Sequence, residues 1–275
     1  MSDAPSDPQR DLPRGQSDYV EVAGRKTELL SGGSGPPLVY LHSAAGEMEW
    51  ARFHGLLARH HTVYAPAHPG FSYSAGLESV RDIADYAWHT LDLLDALGLG
   101  EPVPVVGFSL GAWIAAEAAI LRPKRFASLT LTCAAGLRVE GAPYGDLFQD
   151  DLDALRTLLF DADADDATVE RAMPLSMEDA RIVQWLKARE ATARVGWNPY
   201  LHNPRLRDHL QRISCPTLVL WAEGDRLIPP AHADAWADAI PGATKEILAG
   251  SGHMLPFERP NEWADAVLAF VRERR

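Results

Sequence analysis

The chain has 275 residues, of which 47% are hydrophobic, and it carries a formal net charge of -12 at pH 7. This length suits a single α/β domain with an insertion, and the apolar content is sufficient for a large core. The negative charge repels phosphate backbones and anionic membrane surfaces, so we expect neither a nucleic-acid partner nor a membrane partner.

The N-terminal residues and the cysteines predict a reduced, cytoplasmic protein. Residues 1–17 are polar and rich in Pro, Ser, Asp and Arg, which indicates a flexible tail and not a signal peptide. No apolar stretch is long enough to cross a bilayer. Cys133 and Cys215 are the two cysteines, and neither belongs to a cluster typical of zinc sites. We therefore predict no metal and no disulfide framework.

The predicted elements alternate between strands and helices. A pair of short strands around a turn at Gly24 is predicted within residues 19–30. Apolar runs predict further strands, and apolar residues at helical spacing predict helices. In chain order these are strands 38–42 and 62–65, helix 79–98, strand 103–108, helix 110–121, strand 127–132, strand 217–221, helix 231–239, strand 244–248 and helix 261–273. The alternation indicates a parallel sheet with helices on both faces.

Residues 137–209 interrupt this alternation. They contain no strand-like run, and apolar residues recur at helical spacing around Leu155 and around Trp185. We predict that residues 137–209 form a helical cap, inserted into an α/β core made of residues 18–136 and 210–275.

A sharp turn with a serine at its apex is predicted after strand 103–108. The sequence there is Gly107-Phe108-Ser109-Leu110-Gly111, which matches the pattern G-x-S-x-G between a strand and a helix. The turn exposes the serine hydroxyl, and the helix N-terminus favours developing negative charge. The pentapeptide alone is common, but its strand–turn–helix context makes the signal specific. We predict Ser109 as a nucleophile.

A serine nucleophile needs a base and a carboxylate that orients the base. His253 lies in a glycine-containing loop between the last predicted strand and the last predicted helix. Asp225 follows the strand that ends at Trp221, with Glu223 as a competing carboxylate. Placement directly after Gly224 favours Asp225. We therefore predict Ser109, Asp225 and His253 as the catalytic residues.

Acyl transfer also needs donors for a tetrahedral oxyanion. The backbone N–H groups of Leu110 and Ala44 are the predicted donors, since Leu110 follows the nucleophile and Ala44 lies in the loop after strand 38–42. The predicted substrate pocket consists of His42, Ser43, Trp50, Phe108, Trp185, Trp197 and Met254, with Phe148, Phe160 and Tyr200 as further aromatic candidates.

From about residue 18 onward, the chain resembles the α/β-hydrolase fold-1 family, in its serine hydrolase branch with a helical cap. The resemblance is carried by His42-Ser43-Ala44, His68-Pro69-Gly70-Phe71-Ser72-Tyr73-Ser74, Gly107 to Gly111, Gly224-Asp225 and Gly252-His253. It implies an eight-stranded, mostly parallel sheet and the chain order Ser, Asp, His. In the family's strand order Cys133 and Cys215 lie at opposite ends of the sheet, so two free thiols are expected.

The resemblance also implies hydrolysis of esters, thioesters, amides or, in some branches, carbon–carbon bonds. Branches that cleave halides or epoxides use Asp as nucleophile, so Ser109 argues against them. Carbon–carbon hydrolases typically have Asn before the serine and Trp after the histidine, where this chain has Phe108 and Met254. Family members usually have His-Gly where this chain has His42-Ser43, which affects the loop of the second oxyanion donor.

We predict a carboxylic-ester hydrolase for small to medium apolar substrates, which works through an acyl-enzyme without a cofactor, as a monomer or homodimer. Two alternatives use the same residues: a carbon–carbon hydrolase of the meta-cleavage-product type and a cofactor-free haloperoxidase or perhydrolase. An arginine facing the cleft would favour the carbon–carbon hydrolase. An alternative of another class is a ligand receptor that keeps the three catalytic residues.

Overall fold

The computed structural model describes residues 12–47 and 49–273, and its centre is an eight-stranded sheet. The strands are β1 (Gly15–Val22), β2 (Arg25–Gly32), β3 (Pro37–Leu41), β4 (Thr62–Pro66), β5 (Val103–Phe108), β6 (Phe126–Thr132), β7 (Thr217–Ala222) and β8 (Thr244–Leu248). Their order in the sheet is β1-β2-β4-β3-β5-β6-β7-β8. β2 pairs antiparallel with β1 and with β4, and all other neighbours are parallel. The predicted mostly parallel sheet is confirmed.

The helices pack on both faces of the sheet. They are α1 (Arg52–Ala58), α2 (Ile83–Ala96), α3 (Leu110–Leu121), α4 (Leu152–Leu159), α5 (Asp166–Ala172), α6 (Ile182–Gly196), α7 (Ala231–Ala239), α8 (Leu255–Glu258) and α9 (Pro260–Glu273). α1 packs against α9, whereas α2 packs against α3, which lies on β5 and β6. Sequence patterns did not predict α1, α5 and α8, which are short helices of seven, seven and four residues.

Residues 137–209 connect β6 to β7 and contain α4, α5 and α6. The apolar pattern at Leu155 falls in α4 and the pattern at Trp185 falls in α6. No strand occurs within residues 137–209, and an isolated bridge joins Gly136 to His202 at the edge of this segment. We call residues 137–209 the helical insertion.

The predicted flexible tail is wrong for residues 12–17, whereas residues 1–11 lie outside the described part of the chain. Leu12 is buried in the core, and β1 already begins at Gly15. Trp50 lies against this segment and donates a hydrogen bond from Nε1 to the carbonyl oxygen of Pro13, at 2.9 Å. The backbone hydrogen bonds of an edge strand depend little on side-chain polarity, so the polar composition of these residues gave no indication of β1.

The central strands are the most deeply buried elements, as parallel strands covered on both faces should be. Every residue of β7 is buried, and so are five of the six residues of β5. Cys133 follows β6, Cys215 precedes β7, and both are buried free thiols, as predicted. None of the helices in the described ranges combines the length and the apolarity that crossing a membrane requires.

Candidate active site

Ser109 occupies a strained turn between β5 and α3. Its backbone φ is 54° and its ψ is -110°, a conformation that residues other than glycine rarely adopt. The two flanking glycines make this turn possible. A Cβ atom at Gly107 would lie 2.5 Å from Cα of Ala112, and one at Gly111 would lie 2.1 Å from the carbonyl oxygen of Leu41. The strand, the turn and the helix therefore pack too closely for any other residue at these two positions.

Gly111→Ala is expected to destabilise the fold severely, because its Cβ would meet the backbone of β3, which cannot move without disturbing the sheet. We expect a loss of about 4 kcal/mol or more in the free energy of unfolding, or no soluble protein. Gly100→Ala is the matched control, since its Cβ would meet nothing within 4 Å. Urea unfolding of both variants measures the difference, and equal stabilities would contradict the packing argument.

Ser109, His253 and Asp225 form one hydrogen-bonded chain. The distance from Ser109 Oγ to His253 Nε2 is 3.0 Å, and His253 Nδ1 lies 2.7 Å from Asp225 Oδ2. All three side chains are buried. An ionised carboxylate only accepts hydrogen bonds, so Nδ1 carries the proton and Nε2 offers its lone pair to the serine hydroxyl. This is the geometry that general-base activation of a serine requires.

Asp225 is fixed on its other side as well, because Oδ1 accepts a hydrogen bond from the backbone N–H of Ile228 at 2.8 Å. Glu223, the competing carboxylate, is exposed. Cys133 lies next to these hydrogen-bonded side chains. Its sulfur is within 4.8 Å of a carboxylate oxygen of Asp225 and of a ring nitrogen of His253. Burial and the charge of Asp225 raise the pKa of the Cys133 thiol, so it stays protonated and is a poor metal ligand.

The loop that carries His253 is held against the helical insertion. Glu258 accepts two backbone N–H bonds, one from Gly252 at 2.9 Å and one from Asp161 at 2.7 Å. The N–H of Met254 donates to the carbonyl oxygen of Leu159 at 3.0 Å. The end of α4 therefore helps to set the position of the base.

The two predicted oxyanion donors are the backbone N–H groups of Leu110 and Ala44. Leu110 is the first residue of α3, and the first N–H groups of a helix have no intrahelical partner. Ala44 lines the same cavity as Ser109. Thr192 Oγ1 of α6 donates its proton to the carbonyl oxygen of Ala188 at 2.8 Å and lies 3.4 Å from the carbonyl oxygen of Ala44, so α6 of the helical insertion is in contact with this loop.

The cavity above Ser109 is narrow and mostly apolar. The centres of water molecules fit in only about 30 Å³ of it. It is lined by Ser43, Ala44, Ala45, Ser109, Leu147, Phe148, Leu155, Leu159, Trp185, Arg189, Thr192, Leu227, His253 and Met254. Of the predicted pocket residues, Ser43, Trp185 and Met254 lie in this wall. Phe148 does so too, whereas Phe160 and Tyr200 do not.

Four predicted pocket residues lie elsewhere. Phe108 is buried beneath the base, with its ring centre 5.4 Å from that of His253. Trp197 is 64% exposed and packs against Phe148 from outside. Trp50 stacks on a buried histidine and lines a different cavity. These three predictions were wrong because neither sequence proximity to a site nor aromatic character fixes the direction of a side chain.

His42 is the fourth correction, since it is a buried brace and not a pocket residue. Its Nδ1 donates to the carbonyl oxygen of Ser43 at 2.7 Å, and its Nε2 accepts from the backbone N–H of His68 at 2.9 Å. Burial lowers the pKa of His42 to about 4, so the ring is neutral at physiological pH. It joins the loop after β3 to the loop after β4.

A second, wider cavity adjoins the first, and we call it the outer cleft. Water centres fit in about 540 Å³ of it. Trp50, Tyr73, Met173, Phe257, Arg171 and Arg181 are among its lining residues, and Ala45 and Trp185 line both cavities. Trp185 therefore forms part of the wall between the cavity above Ser109 and the outer cleft.

Arg189 is a charged lining residue that the sequence analysis missed. Its guanidinium donates to the carbonyl oxygens of Leu147 and Gln149, at 2.9 and 2.8 Å, and it lies 4.6 Å from the centre of the Trp185 ring. A signal existed, because Arg189 follows Trp185 by four residues and so shares its helix face. Two of the five N–H donors of the side chain are engaged by these carbonyl oxygens.

The fold and this site agree with the comparison to protein families. Residues 36–260 match the family described as having the alpha/beta hydrolase fold, and the chain belongs to this family of hydrolytic enzymes. A crystal structure of a serine hydrolase involved in carbazole degradation, the CarC enzyme, is 25% identical and has a TM-score of 0.79. That similarity covers 94% of this chain and 99% of the other.

The curated relatives have diverse names. The polyketide synthase ThaQ of Burkholderia thailandensis is 29% identical over 91% of this chain, which spans only 12% of that protein. A 2-hydroxy-6-oxo-6-(2'-aminophenyl)hexa-2,4-dienoic acid hydrolase of Metapseudomonas resinovorans is 25% identical, with 93% of this chain and 91% of the relative covered. A pimeloyl-[acyl-carrier protein] methyl ester esterase of Aeromonas salmonicida is 26% identical, with 87% and 96% covered.

Proposed function

We propose that this protein is a serine hydrolase that cleaves carboxylic esters of small to medium apolar substrates. The observation that carries the proposal is the 3.0 Å hydrogen bond between Ser109 and a base that Asp225 orients, at the floor of an apolar cavity. A relative named as a methyl ester esterase supports the ester as substrate. The proposal needs only side chains, backbone and water. Cytoplasmic location, a small-molecule substrate as partner and a monomeric or homodimeric state stay predictions.

The proposed reaction begins with attack of Ser109 Oγ on the ester carbonyl while His253 Nε2 takes the hydroxyl proton. The tetrahedral oxyanion binds to the N–H groups of Ala44 and Leu110. His253 then gives the proton to the leaving alcohol, which leaves an acyl group on Ser109. A water molecule, deprotonated by His253, releases the acid and restores the serine. Asp225 keeps Nδ1 protonated throughout and stabilises the imidazolium.

We also propose that the helical insertion acts as a cap that selects the substrate. Leu147, Phe148, Leu155 and Trp185 come from this segment and form much of the cavity wall. Because so little of the cavity admits water centres, we expect short acyl chains to be preferred.

Burst-phase hydrolysis of p-nitrophenyl esters, from acetate to octanoate, tests the proposal. The wild type is expected to give a burst followed by turnover, fastest with the shorter chains. Ser109→Ala should show neither, whereas Ser34→Ala, which changes an exposed serine between β2 and β3, should match the wild type. If the wild type and Ser109→Ala were equally inactive, the esterase proposal would be contradicted. A burst without turnover would favour the alternative of a ligand receptor that keeps the three catalytic residues.

A second candidate function is carbon–carbon bond hydrolysis of a vinylogous diketo acid. Arg189 in the cavity wall is the observation that favours it, because the free donors of a guanidinium can bind a substrate carboxylate. The relative named as a hexadienoic acid hydrolase points the same way.

Arg189→Met distinguishes the two candidates. If the substrate carries a carboxylate, we expect KM for a diketo acid to rise by roughly 10- to 100-fold, since a hydrogen bond to a charged group contributes about 1.5–3 kcal/mol. KM for a neutral p-nitrophenyl ester should change little. Arg189→Lys keeps the charge and should lose less. An equal effect on both substrates would show that Arg189 acts only by holding residues 147–149.

A further inference from the structure

The loop between β3 and α1 contains a buried carboxylate that the proposed reaction does not use. Glu47 is only 8% exposed, and its two oxygens bind a single neighbouring residue. Oε2 accepts from the backbone N–H of Ser43 at 2.8 Å, and Oε1 accepts from the hydroxyl of Ser43 in a very short contact. A buried carboxylate is costly unless it is fully hydrogen-bonded, so this arrangement holds the loop firmly.

The remaining polar atoms of Ser43 are also engaged. Its hydroxyl oxygen accepts from the N–H of Ala45 at 3.0 Å. Its carbonyl oxygen accepts from Nδ1 of His42 at 2.7 Å and from the N–H of Gly46 at 3.1 Å. Ser43 is therefore held through its N–H, its hydroxyl and its carbonyl group.

This anchoring determines the direction of the N–H group of Ala44. The carbonyl of Ser43 and the N–H of Ala44 belong to the same peptide unit, which is planar and trans, so the two groups point in opposite directions. Fixing the carbonyl on the side of His42 and Gly46 directs the N–H to the opposite side. Ala44 lines the cavity above Ser109. The stabilisation of an oxyanion depends on donors held in place before the reaction.

We propose that Glu47 is a positioning residue that fixes the oxyanion donor Ala44 by clamping Ser43. The inference rests on the proposed function and deepens it. It also gives a role to the hydroxyl of Ser43, which supplies half of the contact with Glu47. Glu47 touches no substrate atom in this scheme and acts through the loop alone.

Glu47→Gln tests the clamp, because it keeps the shape of the side chain but removes its charge and leaves an amide N–H₂ group where a carboxylate oxygen now accepts a hydrogen bond from Ser43. We expect kcat for the best p-nitrophenyl ester to fall by roughly 10- to 100-fold, somewhat less than the loss of a whole oxyanion donor. KM should stay within about twofold, since ground-state binding does not use the oxyanion donors. Glu28→Gln is the matched control, because Glu28 is another buried carboxylate but binds Ser17 and Tyr73 instead.

The second-order rate of Ser109 labelling by a fluorophosphonate provides a readout that does not need the natural substrate. It should fall in parallel with kcat in Glu47→Gln. Ser43→Ala, which keeps the backbone contact with Glu47, should show a smaller fall and serves if Glu47→Gln does not fold. In a Ser43→Ala background, Glu47→Gln should cost less than it does alone, because the two residues act through one contact.

The outcomes separate the two proposals. Wild-type labelling and kcat in both Glu47→Gln and Ser43→Ala would overturn the clamp and leave the serine hydrolase intact. So would a rise in KM with kcat unchanged. A wild-type protein that the fluorophosphonate does not label would overturn the proposed function and the clamp with it. A selective fall in kcat and labelling, at an unchanged melting temperature, supports both.

Discussion

Asp225→Asn is expected to lower kcat by about 10⁴-fold while leaving the fold intact. Asp225 accepts the proton of His253 Nδ1 at 2.7 Å, and an asparagine can present its amide N–H₂ group there instead. The imidazole would then favour the tautomer with its proton on Nε2, which cannot accept the proton of Ser109. Steady-state hydrolysis of the preferred p-nitrophenyl ester measures the effect.

Glu223→Gln is the control for this substitution, because Glu223 lies two residues away, is exposed and was the competing candidate. Its kcat should match that of the wild type. The proposal would be contradicted if Glu223→Gln lost most of its activity while Asp225→Asn kept more than about a tenth of the wild-type value. That result would assign the orienting role to Glu223.

Acid is expected to unfold this protein steeply below about pH 6.5, where unfolded histidine binds protons. Burial lowers the pKa of His42 and of His89 to about 4, and that of His54 to about 3. Their folded pKa values lie below the unfolded value, so their contribution to stability is complete above pH 6.5. It is lost as the pH falls towards 4, because the unfolded chain then binds protons that the folded protein excludes.

Each of these histidines adds about 1.4 kcal/mol per pH unit to the slope of unfolding free energy between about pH 6 and 4.5. Buried Glu47 and half-buried Glu258 have raised pKa values and reduce the net slope, because the folded state binds protons there more readily than the unfolded chain. Urea unfolding at pH 7, 6 and 5 gives the slope. His54→Phe should reduce it by about one histidine's share, and a stability that does not change between pH 6.5 and 5 would refute the explanation.

The sheet and the proximity of Ser109, Asp225 and His253 could be predicted because their signals are local. A buried parallel strand is a short apolar run, as at β5 and β7, and a nucleophile turn needs small residues on both sides of the serine. Gly107 and Gly111 meet that need within five residues of sequence. Asp225 and His253 follow from the same logic, since each lies in a loop directly after a strand of the sheet.

The pocket could not be predicted in the same way, because its walls come from segments far apart in sequence. Trp197 has the large aromatic side chain expected of a pocket residue, but it lies at the end of α6, where it is mostly exposed. Arg189 has the charged side chain expected of a solvent-exposed helix residue, but it lies over the ring of Trp185 in the cavity wall. Side-chain direction and the packing of the helical insertion decide both cases, and neither is encoded in a short window.

Two structural features were also missed for a physical reason. His42 lies next to the predicted oxyanion loop, but its hydrogen bonds to Ser43 and His68 make it a support beneath that loop. The residues from Leu12 to Ser17 are polar on average, yet backbone pairing with β2 and one buried leucine order them. Tertiary contacts outweigh local composition at such positions.

Ser109 and His253 are hydrogen-bonded across 144 positions of sequence. During synthesis the nucleophile leaves the ribosome long before the base, and most of the connecting chain must fold before the two can meet. Contacts of such long range form slowly, because closing a large loop costs chain entropy before any contact repays it. Recovery of esterase activity after dilution from urea should therefore lag behind the return of the helical circular dichroism signal. A partially synthesised chain that still lacks His253 should have no hydrolytic activity.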